Sequence, residues 1–144
     1  MQQGQIFDWN ICDWFCVRVL GPTIALHDGD CAQAIAAWRS ADNLWQARAS
    51  VVAFMPVTDQ TEHYPLIYSA CATLIQREER FAKTAVGWIL RDMSKHDSAG
   101  VVAFIEQHLA SFSLEALKNA IKYEAKDLQQ RLVTQFKGRR ADIS

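Results

Sequence analysis

Residues 79–94 read ERFAKTAVGWILRDMS. Ala82, Ala85, Val86, Ile89, Leu90 and Met93 recur at the 3.6-residue spacing of an α-helix and make one wide apolar stripe, so this stretch is expected to be an amphipathic helix with that face in the core. The opposite stripe holds Thr84, Trp88, Arg91 and Lys95. A large aromatic on a basic face is unusual, because the hydrophobic effect favours hiding it. Cations interleaved with an indole suit a nucleic-acid groove, where phosphates meet charge and rings meet sugars or bases. The alternative is a Trp that covers a neighbouring helix.

The same pattern extends in both directions. Before it, helices are expected over residues 8–20, with Phe7, Ile11, Trp14 and Phe15 at helical spacing and Gly21-Pro22 as the stop, and over 31–39, after the Asp28-Gly29-Asp30 turn. A long helix follows from Leu44 to Met55, with Leu44, Ala47, Val51 and Met55 on one stripe and Pro56 just past its end. Another spans 62–76, with Leu66, Ala70, Thr73 and Leu74 inward. After 79–94 come helices over 98–110, 113–123 with Ser113 as N-cap, and 126–136. No stretch reads as a strand. The class is therefore all-α, in one helical-repeat domain over residues 1–136 with a flexible basic tail over 137–144. Val51-Val52-Ala53-Phe54 recurs as Val101-Val102-Ala103-Phe104, a period that stacked antiparallel helix pairs would produce. Periodicity alone does not separate that α-solenoid from a globular bundle.

Composition agrees with the helical reading. Of 144 residues, six are Gly and three Pro, too few for a turn-rich sandwich or a disordered chain, and half are hydrophobic, enough for one core. No apolar run reaches bilayer length and the start, MQQGQ, lacks the pattern of a secretion signal, so a cytoplasmic protein without membrane contact is expected. Cys12, Cys16, Cys31 and Cys71 show no CxxC and no companion His at zinc spacing; they read as space-filling thiols, with no metal and no cofactor. The four histidines are scattered, no nucleophile–His–acid order can be assembled, and no Gly-rich phosphate loop occurs. Charge is uneven beneath the net of −1: residues 1–76 carry three basic and seven acidic side chains, net −4, and residues 77–144 carry twelve and nine, net +3. A surface for a polyanion would lie mostly in the second half.

Two further positions could carry chemistry. Trp9 and Asp13 stand four apart and share a helix face, which puts an electron-rich ring beside a carboxylate able to stabilise developing positive charge. Core packing of Trp9, with Asp13 solvated or paired to Arg18, satisfies the same spacing. Arg48 lies among small and apolar residues, and an Arg so placed wants a carboxylate or a phosphate.

Three segments, FDWNICD (7–13), SADNLWQARA (40–49) and KTAVGWILRD (83–92), resemble in order and interval the AlkD-like family of DNA alkylation repair proteins, and the likeness continues thinly through 113–122. The resemblance implies a HEAT-like α-solenoid that grips alkylated double-stranded DNA on a concave basic surface and excises cationic N3- or N7-alkylated purines without flipping the base. It assigns Trp9 and Trp88 to the sugar, Asp13 to catalysis as the carboxylate facing the developing cation, and Arg48 to the adjacent phosphate, with no cofactor or metal. Relative to the family pattern the chain begins close to the Trp9 segment, without the N-terminal repeats. The apolar Trp14, Phe15 and Val19 would then be uncovered, and a homodimer or larger oligomer through the first helices is expected. A noncatalytic HEAT-like module that binds DNA or protein is the alternative.

Overall fold

The structure is a computed structural model describing residues 34–42 and 44–143; the expected helix over 8–20 and the turn at 28–30 lie outside the described residues. A helical turn at 34–36 runs into a 3-10 turn, Ala37–Ser40, and five α-helices follow. They are α1 (Leu44–Val52), α2 (Tyr64–Leu74), α3 (Arg80–His108), α4 (Leu114–Ala120) and α5 (Lys126–Ile143), with 3-10 turns at Met55–Val57, Thr61–His63 and Leu109–Ser111. No strand occurs among the described residues, as the sequence implies. None of the described helices is long and apolar enough to cross a membrane.

Helix α1 is the interior element, packed against α2, α3 and the Ala37–Ser40 turn. Every residue from Ala47 to Val52 is buried, so the single stripe expected of it is an understatement: Ala47 and Val51 face the core, but so do their neighbours, while Leu44 and Met55 are half-buried. A helix buried all round shows no amphipathic period, and small residues such as Ala47, Ala49 and Ser50 let three partners approach at once. The helix also stops at Val52, three residues early, and Met55-Pro56-Val57 form the 3-10 turn that closes it.

In α2 the inner face is Tyr64, Ile67, Ala70, Cys71 and Leu74, rotated from the expected stripe, so that Leu66 and Thr73 are only half-buried. Tyr64 sets the rotation: its hydroxyl donates to the Thr58 carbonyl at 2.6 Å, which draws the start of the helix inward, and Pro65 follows in the first turn where its missing N–H is harmless. Cys71 fills space in this interface as an isolated thiol, and burial pushes its ionisation up, leaving it inert.

Helix α3 joins two stretches that the sequence separates. Asp97 is non-helical (φ −146°, ψ 59°) and kinks the 29-residue helix between its arms. Its Oδ1 accepts from the Gly100 N–H at 3.2 Å, the bond of an N-cap to the new arm, and its Oδ2 accepts from the Tyr68 hydroxyl at 3.0 Å. Burial, and then this carboxylate, push the Tyr68 phenol up. Asp97→Ala is expected to lower stability by about 1 kcal/mol, a fall of about 3 °C in Tm by circular dichroism; an unchanged Tm would show that the cap is replaceable.

The six apolar residues expected on the inner face of α3, from Ala82 to Met93, are fully buried. Against them lies α4, started by Ser113, whose hydroxyl accepts from the Ala116 N–H at 3.1 Å as the sequence suggests. The approach is backbone to backbone: a Cβ on Gly87 would stand 2.6 Å from the Ala116 carbonyl oxygen. Helix α5 is held by the buried Leu132 and Phe136 and continues to Ile143, seven residues beyond the expected end. Gly138 costs a helix about 1 kcal/mol, and the good helix formers around it outweigh that. The repeated tetrapeptide occupies unlike environments. Val51 to Phe54 are all buried, whereas at the second copy Val102 is half-buried and Ala103 exposed.

Candidate functional site

The outward stripe of α3 and the buried α1 meet at Arg48. Arg48 is only 5% exposed, and its NH1 donates to the Phe81 carbonyl at 2.6 Å and to the Thr84 hydroxyl at 3.1 Å. The guanidinium carbon stands 5.9 Å from the Trp88 ring centre and 6.0 Å from that of Phe81, within range of cation–π attraction. A buried cation thus has a carbonyl, a hydroxyl and two ring faces among its partners. Two of the four residues singled out in the sequence, Arg48 and Trp88, are brought together; Trp9 and Asp13 lie outside the described residues.

Helix α4 supplies the opposite wall through Glu115 and Asn119. Between it and the Phe81–Thr84–Trp88–Arg91 edge lies an open cleft of about 380 Å³. Arg80 crosses one end and makes a two-pronged ion pair with Glu115, Nε to Oε1 at 2.9 Å and NH2 to Oε2 at 2.7 Å. That guanidinium holds the Glu115 carboxyl below its usual range, and the carboxylate pushes Arg80 up in return. At the other end Arg91 donates to the Asn119 amide oxygen at 3.1 Å and stands over the Tyr123 ring at 5.9 Å, with the Lys95 ammonium 5.2 Å from the same ring. The lining holds three guanidiniums against one carboxylate, so its field is positive.

Such a cleft can seat an anion at either end and a flat or sugar-like group against Trp88 between them. The Arg80–Glu115 pair competes with the first of these uses. Glu115→Gln is expected to free Arg80 and raise the affinity of the cleft for a polyanion such as labelled heparin several-fold at low salt, which fluorescence anisotropy would read; weaker binding would mean that the pair holds the cleft open. The pH sign follows from the depressed carboxyl. Whatever the pair contributes to stability is present above the unfolded carboxyl's pKa and is lost as pH falls through the lower folded value, a small effect because both side chains are at least half exposed.

Sequence reasoning missed Phe81, Glu115, Asn119 and Tyr123. Phe81 was within reach, since it lies three residues before Thr84 on the outward stripe of one helix. Glu115 and Asn119 come from α4, and no local pattern on α3 announces them. Tyr123 is the exposed large hydrophobic of the described residues, at 53%, just beyond the end of α4.

Residues 2–123 match the family described as DNA alkylation repair enzyme, a span that holds all three segments on which the resemblance rests and the whole of the cleft. No curated protein and no solved structure matches the chain.

Proposed function

The chain belongs to the DNA alkylation repair enzyme family, and from that premise we propose that it hydrolyses the N-glycosyl bond of cationic N3- or N7-alkylated purines in duplex DNA, without flipping the base. The observation that carries this reading is the Arg48 guanidinium held beside the Trp88 ring in a positively charged cleft. In a HEAT-like solenoid of stacked helix pairs over residues 1–136, that cleft would be part of the concave face, with Trp9 and Asp13 completing it.

The chemistry assigns each residue type a task. Alkylation leaves the purine positively charged, so the C1′–N bond breaks with its electron pair cancelling that charge, and the base departs neutral. Positive charge gathers on the deoxyribose as the bond stretches; Asp13, as a carboxylate, stabilises it and orients the water whose oxygen bonds to C1′. The proton given up by the water passes to Asp13 or to solvent. Trp9 and Trp88 hold the sugar by ring contact and cation–π attraction. Arg48 pins the neighbouring phosphate through a charge-assisted hydrogen bond.

The test is release of free 7-methylguanine from alkylated duplex incubated with the full chain. Release above background supports the enzyme; none removes it. The net charge of −4 over residues 1–76 favours a second reading, a noncatalytic module of the same fold that binds DNA or protein. Binding of plain duplex at low salt without base release would select a DNA-binding module, and absence of both would select a protein-binding one. Self-association through Trp14, Phe15 and Val19 belongs to either reading, and light scattering at micromolar concentration checks it, a monomer counting against it.

A further inference from the structure

Arg91 is charged, lines the cleft and is held in place by neutral groups alone. Arg77, Arg80, Lys95 and Arg131 each stand in an ion pair, with Glu79, Glu115, Asp92 and Glu106 respectively. Among the described residues Arg91 has no such partner: its NH1 is bonded to the Asn119 amide oxygen, its face lies over the Tyr123 ring, and its Nε is buried without a hydrogen bond. The acids nearby are engaged elsewhere. Asp92 accepts from Thr58 at 2.5 Å and from Lys95 at 3.2 Å, and Glu115 is taken by Arg80. A guanidinium oriented by an amide and a ring, with its charge uncompensated in a cleft, is arranged for an anion that arrives from outside.

We propose that Arg91, positioned by Asn119 and Tyr123, binds a second backbone phosphate of the same DNA strand, on the far side of Trp88 from Arg48. This rests on the DNA reading of the cleft. The helix sets the spacing. Arg48 is bonded to Thr84, and Arg91 lies seven residues further along α3, about 10 Å at 1.5 Å per residue. Phosphates of one strand wind round the duplex, so neighbours stand roughly twice the 3.4 Å axial rise apart, and that separation corresponds to about one or two nucleotides. The strand would thus be pinned at two phosphates that bracket the sugar facing Trp88, which fixes register without reading the base.

The experiment measures binding of the full chain to undamaged duplex across a salt series, with the wild type and Arg91→Gln. The loss of one phosphate contact is expected to flatten the plot of log K against log salt by about 0.9. In parallel, single methylphosphonates are walked along one strand of the duplex carrying one alkylated purine, a scan that needs no protein variant. Two sensitive phosphates about one or two nucleotides apart are expected for the wild type, and Arg91→Gln should be indifferent to one of them. An unchanged salt slope, or a single sensitive phosphate, with binding otherwise intact, overturns the Arg91 contact alone. No binding of wild-type chain to duplex at low salt removes the DNA reading, and this contact with it.

Discussion

Gly87→Val is expected to lower Tm by about 10 °C or to leave the chain insoluble, because this buried glycine stands where α3 and α4 touch. Even the first added carbon would stand 2.6 Å from the Ala116 carbonyl oxygen and 3.0 Å from its Cα, and both are backbone atoms that no rotamer change can move aside. The helices must part instead, and the fully buried Val86, Leu90 and Leu117 beside the contact would lose their packing. Overpacking of this kind costs about 3 kcal/mol for a branched side chain. Gly138 provides the control. It too lies in a helix, but nothing is within 4 Å of its added Cβ, so Gly138→Ala should gain up to about 1 kcal/mol from helix propensity alone. Equal effects at the two glycines would show that the close approach of α3 and α4 does not matter.

Asp13→Asn should reduce base release from alkylated duplex by about 100-fold or more, equivalent to about 3 kcal/mol of lost electrostatic stabilisation of the cationic sugar. Asparagine keeps the size and the hydrogen-bonding reach but not the charge, so duplex affinity should change little. The two readouts separate chemistry from grip. Arg48→Met should do the opposite, weakening binding to damaged and undamaged duplex alike by losing the phosphate contact. Equal release by Asp13→Asn and the wild type would move the catalytic charge elsewhere, and Glu115, the carboxylate lining the described cleft, would be the next residue to neutralise.

The parts of the fold that were legible lie on single helices. Both stripes of α3 follow from one period, and Trp88 and Arg91 were placed on the outward face for that reason. Ser113 is legible too, because a short polar side chain at the start of a helix has a local bonding task, whereas Asp97, which has the same task within α3, was not marked. Helix α1 is different. Its burial on every side comes from three neighbours at once, and a local period cannot report how many neighbours a helix has. The rotation of α2 was hidden likewise, since it depends on where the Tyr64 hydroxyl finds a carbonyl six residues back. The cleft was half legible: Arg48 was marked as a cation in need of partners, but the wall formed by Glu115 and Asn119 depends on the α3–α4 contact at Gly87.

Arg48 reaches the cleft from the most deeply packed of the described helices. Occupancy of the cleft and cohesion of the interior are therefore thermodynamically linked. A ligand seated on that guanidinium should raise the melting temperature in proportion to the logarithm of its concentration, and a substitution that loosens Ala47 or Val51 should weaken the ligand's hold while touching none of its atoms. Short oligonucleotides could then be ranked by heating alone, before any base is released.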